Sequence, residues 1–212
     1  MNKSRLFVLA TLAVGFVGMA STNPSKSKAR TTDTALSPYV TVSRPQHRLI
    51  RISQLDCQQY ASAAECTEWS SSTCSTAAMI EVANYYDGPG RYRIHDLLAV
   101  ESRIEAITPQ SGLFEDAGIV RTMAFFGFRT SWGYGRSLDH IMQLARQGEP
   151  VIVSLPPDHY NGGHLVVVTG GTSDNVFLAD SSIWNRHSIS RAQFLSWWEG
   201  FSAVVTRQWR QG

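Results

Sequence analysis

Ser70-Ser71-Ser72-Thr73-Cys74-Ser75-Thr76-Ala77-Ala78-Met79 is the stretch on which the reading of this chain turns. A polar run hands over at Cys74 to apolar spacing of helical period, with Ala78, Val82, Tyr85 and Tyr86 on one face. Asp87-Gly88-Pro89-Gly90 then stops the helix. The spacing predicts a helix over 75–86 with the thiol at its N-terminus. There the helix dipole and the orphan N–H groups favour thiolate over thiol. A lone Cys in such a place is more often a disulfide partner or a small core residue, so the reading depends on what lies downstream.

Gly162-Gly163-His164 opens the apolar run Leu165-Val166-Val167-Val168, and Asp180 closes the next run, Val176-Phe177-Leu178-Ala179. Residues 170–175 join the two runs as a hairpin-like turn. In an antiparallel pair the start of one strand lies beside the end of the next. The topology therefore makes His164 and Asp180 neighbours. An imidazole can take the thiol proton, and a carboxylate can hold that imidazole in one tautomer. Each residue has a bland alternative: a hydrogen-bonded core His, and an Asp that caps a turn. Their order and context give the three together more weight than any one alone.

These segments resemble the C39-like (bacteriocin-processing-peptidase-like) branch of papain-fold cysteine peptidases, over roughly residues 48–206. Residues 74–86 are similar to the family's Cys-Gly-Pro-Ala-Ser-Leu-Ala-Met helix and its Asn-Tyr-Tyr-Gly-like turn. Gly148-Glu149-Pro150-Val151-Ile152-Val153 and Gly163-His164-Leu165-Val166-Val167-Val168-Thr169-Gly170 are similar to two of its strands. Leu178-Ala179-Asp180-Ser181 resembles its Asp-Pro turn, and residues 190–194 the helix that follows. The resemblance implies Cys74 as nucleophile, His164 as base and Asp180 as orienting acid. It implies an α+β, papain-like fold in which an N-terminal helical part, with the nucleophile helix, packs on a C-terminal antiparallel sheet. The chain departs from the family at Ser75-Thr76, where the family has Gly-Pro, and at Ser181, where it has Pro. At the spacing of the family's oxyanion-hole Gln stands Glu68, whose carboxylate cannot donate to an oxyanion. Gln54 is the preferred donor if residues 55–73 are an insertion, with Gln58 and Gln59 as rivals.

The other elements follow from periodicity and stop signals. Helices are expected over 96–107, 115–126 and 137–147, the last capped by Ser137. Strands are expected at 151–155, 164–169, 176–179 and 203–206, a short strand or extended segment at 49–52, and a final helix from Ser190 to Trp198. Residues 53–73 read as a long polar connection. Gly133-Tyr134-Gly135-Arg136-Ser137 reads as a turn and lacks the Lys of a phosphate loop. Trp197-Trp198 reads as core packing, and Asp158-His159-Tyr160-Asn161 as a loop that shapes a cleft beside His164.

The N-terminus reads separately. Lys3 and Arg5 precede an apolar stretch from Leu6 to Met19, with Gly18 and Ala20 at the −3 and −1 positions of a cleavage site. Residues 1–20 are expected to be a signal peptide, an uncleaved membrane anchor being the alternative. Residues 21–45 are expected to be a disordered linker, and 46–208 the folded domain. Of 19 basic residues, Lys3 and Arg5 lie in 1–20 and none of the 17 acids does, so the remainder carries no net charge. That gives no basic face for nucleic acid. His47, His95, His140, His159 and His187 show no metal-ligand spacing, so neither metal nor cofactor is expected. Export permits disulfides; three cysteines leave one over, and Cys57–Cys66 is the expected pair with Cys74 reduced, three reduced thiols being the alternative. The expected protein is a secreted or cell-surface bacterial cysteine peptidase, a monomer acting on peptide or protein substrates. The alternatives are an inactive C39-like binding module and a cell-wall amidase or acyltransferase.

Overall fold

A computed structural model describes residues 47–155 and 163–208, all within one unit, Ser43–Gly212. The expected signal peptide, the linker and the loop 158–161 with His159 lie outside the described residues. Residues 49–52 form no strand and are held instead by hydrogen bonds to α-helical and turn residues described below.

The polar connection is folded. A 3₁₀ turn, Cys57–Gln59, is disulfide-bonded to α1, Ala63–Trp69, through Cys57 and Cys66. Ser62 caps α1 by accepting from the Glu65 N–H. The bridge closes a loop of sequence separation 9, for which chain entropy gives about 2–3 kcal/mol. A Cys57→Ser, Cys66→Ser variant is expected to lose about that much unfolding free energy in urea. An unchanged midpoint would show that the bridge adds nothing.

The helix predicted at 75–86 is α2, Cys74–Asp87, and it is buried on all sides from Ser75 to Asn84. That is why its apolar residues are not confined to one face: a helix enclosed all round needs no polar stripe. Next come α3 (Ile94–Arg103), the two-stranded hairpin β1 (Ile107–Thr108) and β2 (Gly112–Leu113), and α4 (Ala117–Phe125). The expected second helix ends early, and the left-handed Glu105, at φ 56°, turns the chain into β1. β3 (Phe128–Gly133), α5 (Leu138–Arg146), β4 (Val151–Leu155), β5 (His164–Gly171), β6 (Asn175–Ala179), β7 (Ser188–Ser190), α6 (Arg191–Trp197) and β8 (Ser202–Arg207) complete the order. Ser137 caps α5 and Ser190 caps α6, each side chain accepting from a backbone N–H three residues on.

The six-stranded sheet has the order β3-β8-β4-β5-β6-β7, with every pair antiparallel. Both faces are covered. Ile152, Val167, Ala203 and Val205 meet α2, α3 and α4 on one side. Val151, Val153, Val166 and Val168 meet α5 and α6 on the other. Continuous apolar runs such as Leu165–Val168 are what a sheet buried on both faces requires. β3 was not expected from sequence: only Phe128 of its six residues is buried, as befits a polar edge strand paired, among the described residues, with β8 alone. Trp197 and Trp198 pack against the α5–α6 side of the core.

Candidate active site

Cys74 is the first residue of α2, and its N-cap, Thr73, makes no side-chain cap. The Thr73 hydroxyl is drawn away to the Tyr60 hydroxyl at 2.7 Å. The helix's first amides are thereby left to whatever occupies the N-terminus. Cys74 is half-buried and reduced. Burial pushes its thiol up, but the hydrogen bond and charge of His164, with the Leu165 and Ser75 amides, outweigh that and hold it below its ordinary value.

His164 is the first residue of β5, and Asp180 follows the last residue of β6. Val167 pairs with Ala179, so regular register would set Asp180 opposite Val166, with His164 its diagonal neighbour on the same face. His164 Nε2 lies 2.8 Å from Asp180 Oδ1, both side chains being almost wholly buried. That contact leaves Nδ1 as the nitrogen for the thiol. Burial lowers the affinity of His164 for its proton, but Asp180 and Cys74 reverse this and raise the ring to about 9. Burial pushes Asp180 up, but His164 and Ser182 hold its carboxyl well below the usual carboxylate range. The Ser182 and Arg186 amides donate to the same carboxylate at 2.9 and 3.1 Å.

Gln54 is buried, and its amide orientation is set from both ends. Oε1 accepts from the Ser181 hydroxyl at 3.0 Å and Nε2 donates to the Ser70 carbonyl at 2.9 Å. Its own N–H donates to the Ser181 carbonyl. The amide thus bridges the Asp180 turn and the chain that leads into Cys74. Gln58 and Glu68 are exposed, Glu68 on the outside of α1. Gln59 is half-buried, with Oε1 unpartnered among the described residues.

Cys74 and His164 open on a cleft of about 520 Å³, whose far wall is the β1–β2 hairpin and the segment to Asp116. Gly112, at φ 68°, lets that wall approach: a Cβ there would stand 3.0 Å from the Ser72 carbonyl. Elsewhere His95 pairs with Glu65 at 3.0 Å. Among the described residues no group of three His, Cys, Asp or Glu could hold a metal ion. Among them too, no helix is long and apolar enough to cross a membrane.

Two buried acids were not singled out from sequence, although a Glu inside an apolar helix is a visible signal. Glu101 Oε2 accepts from the Thr76 hydroxyl at 2.5 Å, and Glu81 Oε1 accepts from the Ile52 N–H at 2.9 Å. Burial pushes both up to about 8. Each keeps its proton when the unfolded chain, near the ordinary 4.5, has lost it. Stability therefore falls as pH rises from about 4.5 to 8. His164, raised, adds stability that is complete below its ordinary 6.5 and lost as pH rises through about 9. Asp180, lowered, adds stability above its ordinary 3.8 that is lost as pH falls further. The thermal midpoint is expected to peak between about pH 4 and 5, and Glu101→Gln to flatten its decline toward pH 8. A midpoint that climbs from pH 5 to 8 would contradict this.

Comparison with curated proteins finds no match. Among solved structures, the chain is similar to the peptidase domain of Streptococcus ComA, a bifunctional ABC transporter of a quorum-sensing pathway. The TM-score is 0.58 at 20% identity, covering 76% of this chain and 100% of that one. It is similar also to a C39-like peptidase candidate from Bacillus anthracis, with TM-score 0.53, 11% identity and coverage of 76% and 96%. At such identities the likeness is one of fold, α+β and papain-like. The model of the Peptidase_C39 like family matches residues 50–206, and the chain belongs to that family.

Proposed function

We propose that this chain is an exported cysteine peptidase that cleaves peptide bonds through Cys74, His164 and Asp180. One observation carries the reading: a thiol held below its ordinary value at a helix N-terminus, hydrogen-bonded to an imidazole that is paired with a buried carboxylate at 2.8 Å. The Cys74 sulfur, as thiolate, adds to the substrate carbonyl carbon, and the carbonyl π electrons move to oxygen. The Cys74 N–H and the Gln54 amide receive that oxyanion. The imidazolium of His164 gives its proton to the departing amine as the C–N bond breaks, leaving a thioester. Water, deprotonated by His164, then cleaves the thioester and restores the thiolate. Asp180 keeps the ring oriented throughout. The Lys3/Arg5 and Leu6–Met19 pattern and the Cys57–Cys66 bridge support export.

The test is incubation of the purified chain with a mixed synthetic peptide library, read by mass spectrometry beside Cys74→Ala. New termini made only by the wild type are expected. No cleavage, or equal cleavage by Cys74→Ala, would reject the reading.

A further inference from the structure

Cys74 and Glu81 are seven residues apart on α2, close to two full turns, so they share one face about 10 Å apart along the axis. Residues 51–54 run as a strap that meets that face at Glu81. The strap is tied to the turn after β6: Arg51 donates to the carbonyls of Asp180 and Ser182, and Gln54 exchanges hydrogen bonds with Ser181. Among the described residues, one hydrogen bond ties it to α2, the Ile52 N–H to Glu81 Oε1 at 2.9 Å. Glu81 is wholly buried, and its Oε2 has no partner among the described residues. The charged groups that face it are Arg51 from the strap, Asp180 from the turn after β6 and His164 from β5. The Arg51 guanidinium is already committed to two carbonyls. Burial opposes charge on Glu81, and Asp180 adds to that, whereas the Ile52 N–H, Arg51 and His164 favour it.

We propose that Glu81 is a positioning residue: by accepting from the Ile52 N–H it pins the Gln54-bearing strap to the face of α2 that carries Cys74, and so sets where the Gln54 amide stands relative to the thiol. The inference rests on the thiol-hydrolase reading and on Gln54 as oxyanion donor. Loss of the pin weakens stabilisation of the oxyanion while formation of thiolate is unchanged.

Two probes separate those effects on the full chain. Iodoacetamide reads thiolate and forms no oxyanion; p-nitrophenyl acetate acylates the thiol through a tetrahedral oxyanion. Alkylation is expected to match within about twofold in wild type, Glu81→Gln and Glu81→Leu. Ester acylation is expected to fall about 10²-fold in Glu81→Leu, the scale of one lost oxyanion donor, and to stay within about threefold of wild type in Glu81→Gln, which keeps a neutral acceptor for Ile52. Wild-type acylation in Glu81→Leu, or Glu81→Gln no faster than Glu81→Leu, overturns the assignment. If Glu81→Leu does not fold, Glu81→Ala takes its place under the same two outcomes. A wild type inert to both probes rejects the thiol-hydrolase reading and this inference with it.

Discussion

His164→Ala is expected to slow acylation of Cys74 by p-nitrophenyl acetate by about 10²–10⁴-fold at neutral pH. Two losses combine. The imidazole hydrogen bond and charge that hold the thiol below its ordinary value disappear, while the burial that pushes it up remains. The thiolate fraction at pH 7 then drops. The proton for the leaving group also loses its carrier, so an amide substrate should suffer more than the activated ester. Because these groups act as a unit, the His164→Ala, Asp180→Ala double variant should be little slower than His164→Ala alone. The assay is stopped-flow release of p-nitrophenolate. Retention of more than about a tenth of wild-type acylation would remove His164 from the chemistry.

Asp180→Ala is expected to cost both rate and fold. The Asp180 carboxylate is fully buried and accepts from His164, Ser182 and Arg186. Removing it leaves a buried imidazole without its counter-charge and backbone amides without an acceptor. Breaking a buried pair from one side costs about 3–5 kcal/mol, which urea unfolding would read directly. Asp180→Asn separates the two effects, since it keeps the shape and much of the hydrogen bonding. Its loss of stability should be smaller, while acylation should still fall by at least about 10²-fold, because a neutral amide neither raises the ring's proton affinity nor holds the required tautomer. Asp180→Asn with wild-type kinetics would make Asp180 a structural cap and nothing more.

Much of the architecture is legible in local chemistry. Ser137 and Ser190 announce their helices through a hydroxyl that accepts from the third amide on. Gly170–Asn175 announces the turn that brings His164 beside Asp180, because antiparallel register converts sequence order into proximity. What escapes the sequence is what depends on the third dimension. β3 carries one buried residue in six, and its existence rests on β8 arriving beside it. α2 reads as amphipathic yet is enclosed, since nothing in its own residues says how many layers will cover it. Where Gln54 and Glu68 stand turns on whether residues 55–73 loop out. Here they do, with a 3₁₀ turn and α1 stapled by Cys57–Cys66, so that Gln54 returns to Ser70 and Ser181 while Glu68 faces outward. Glu81 is visible as an acid among apolar residues, but its hydrogen-bond partner among the described residues comes from the strap, through Ile52.

The central claim is that Cys74 and His164 form a thiolate–imidazolium pair, and the rate of iodoacetamide alkylation of Cys74 against pH, on the full chain, tests it most directly. The account predicts a rise with a midpoint well below the ordinary thiol range near 8.5, displaced upward in His164→Ala. A midpoint at or above 8.5 that ignores His164→Ala would contradict it.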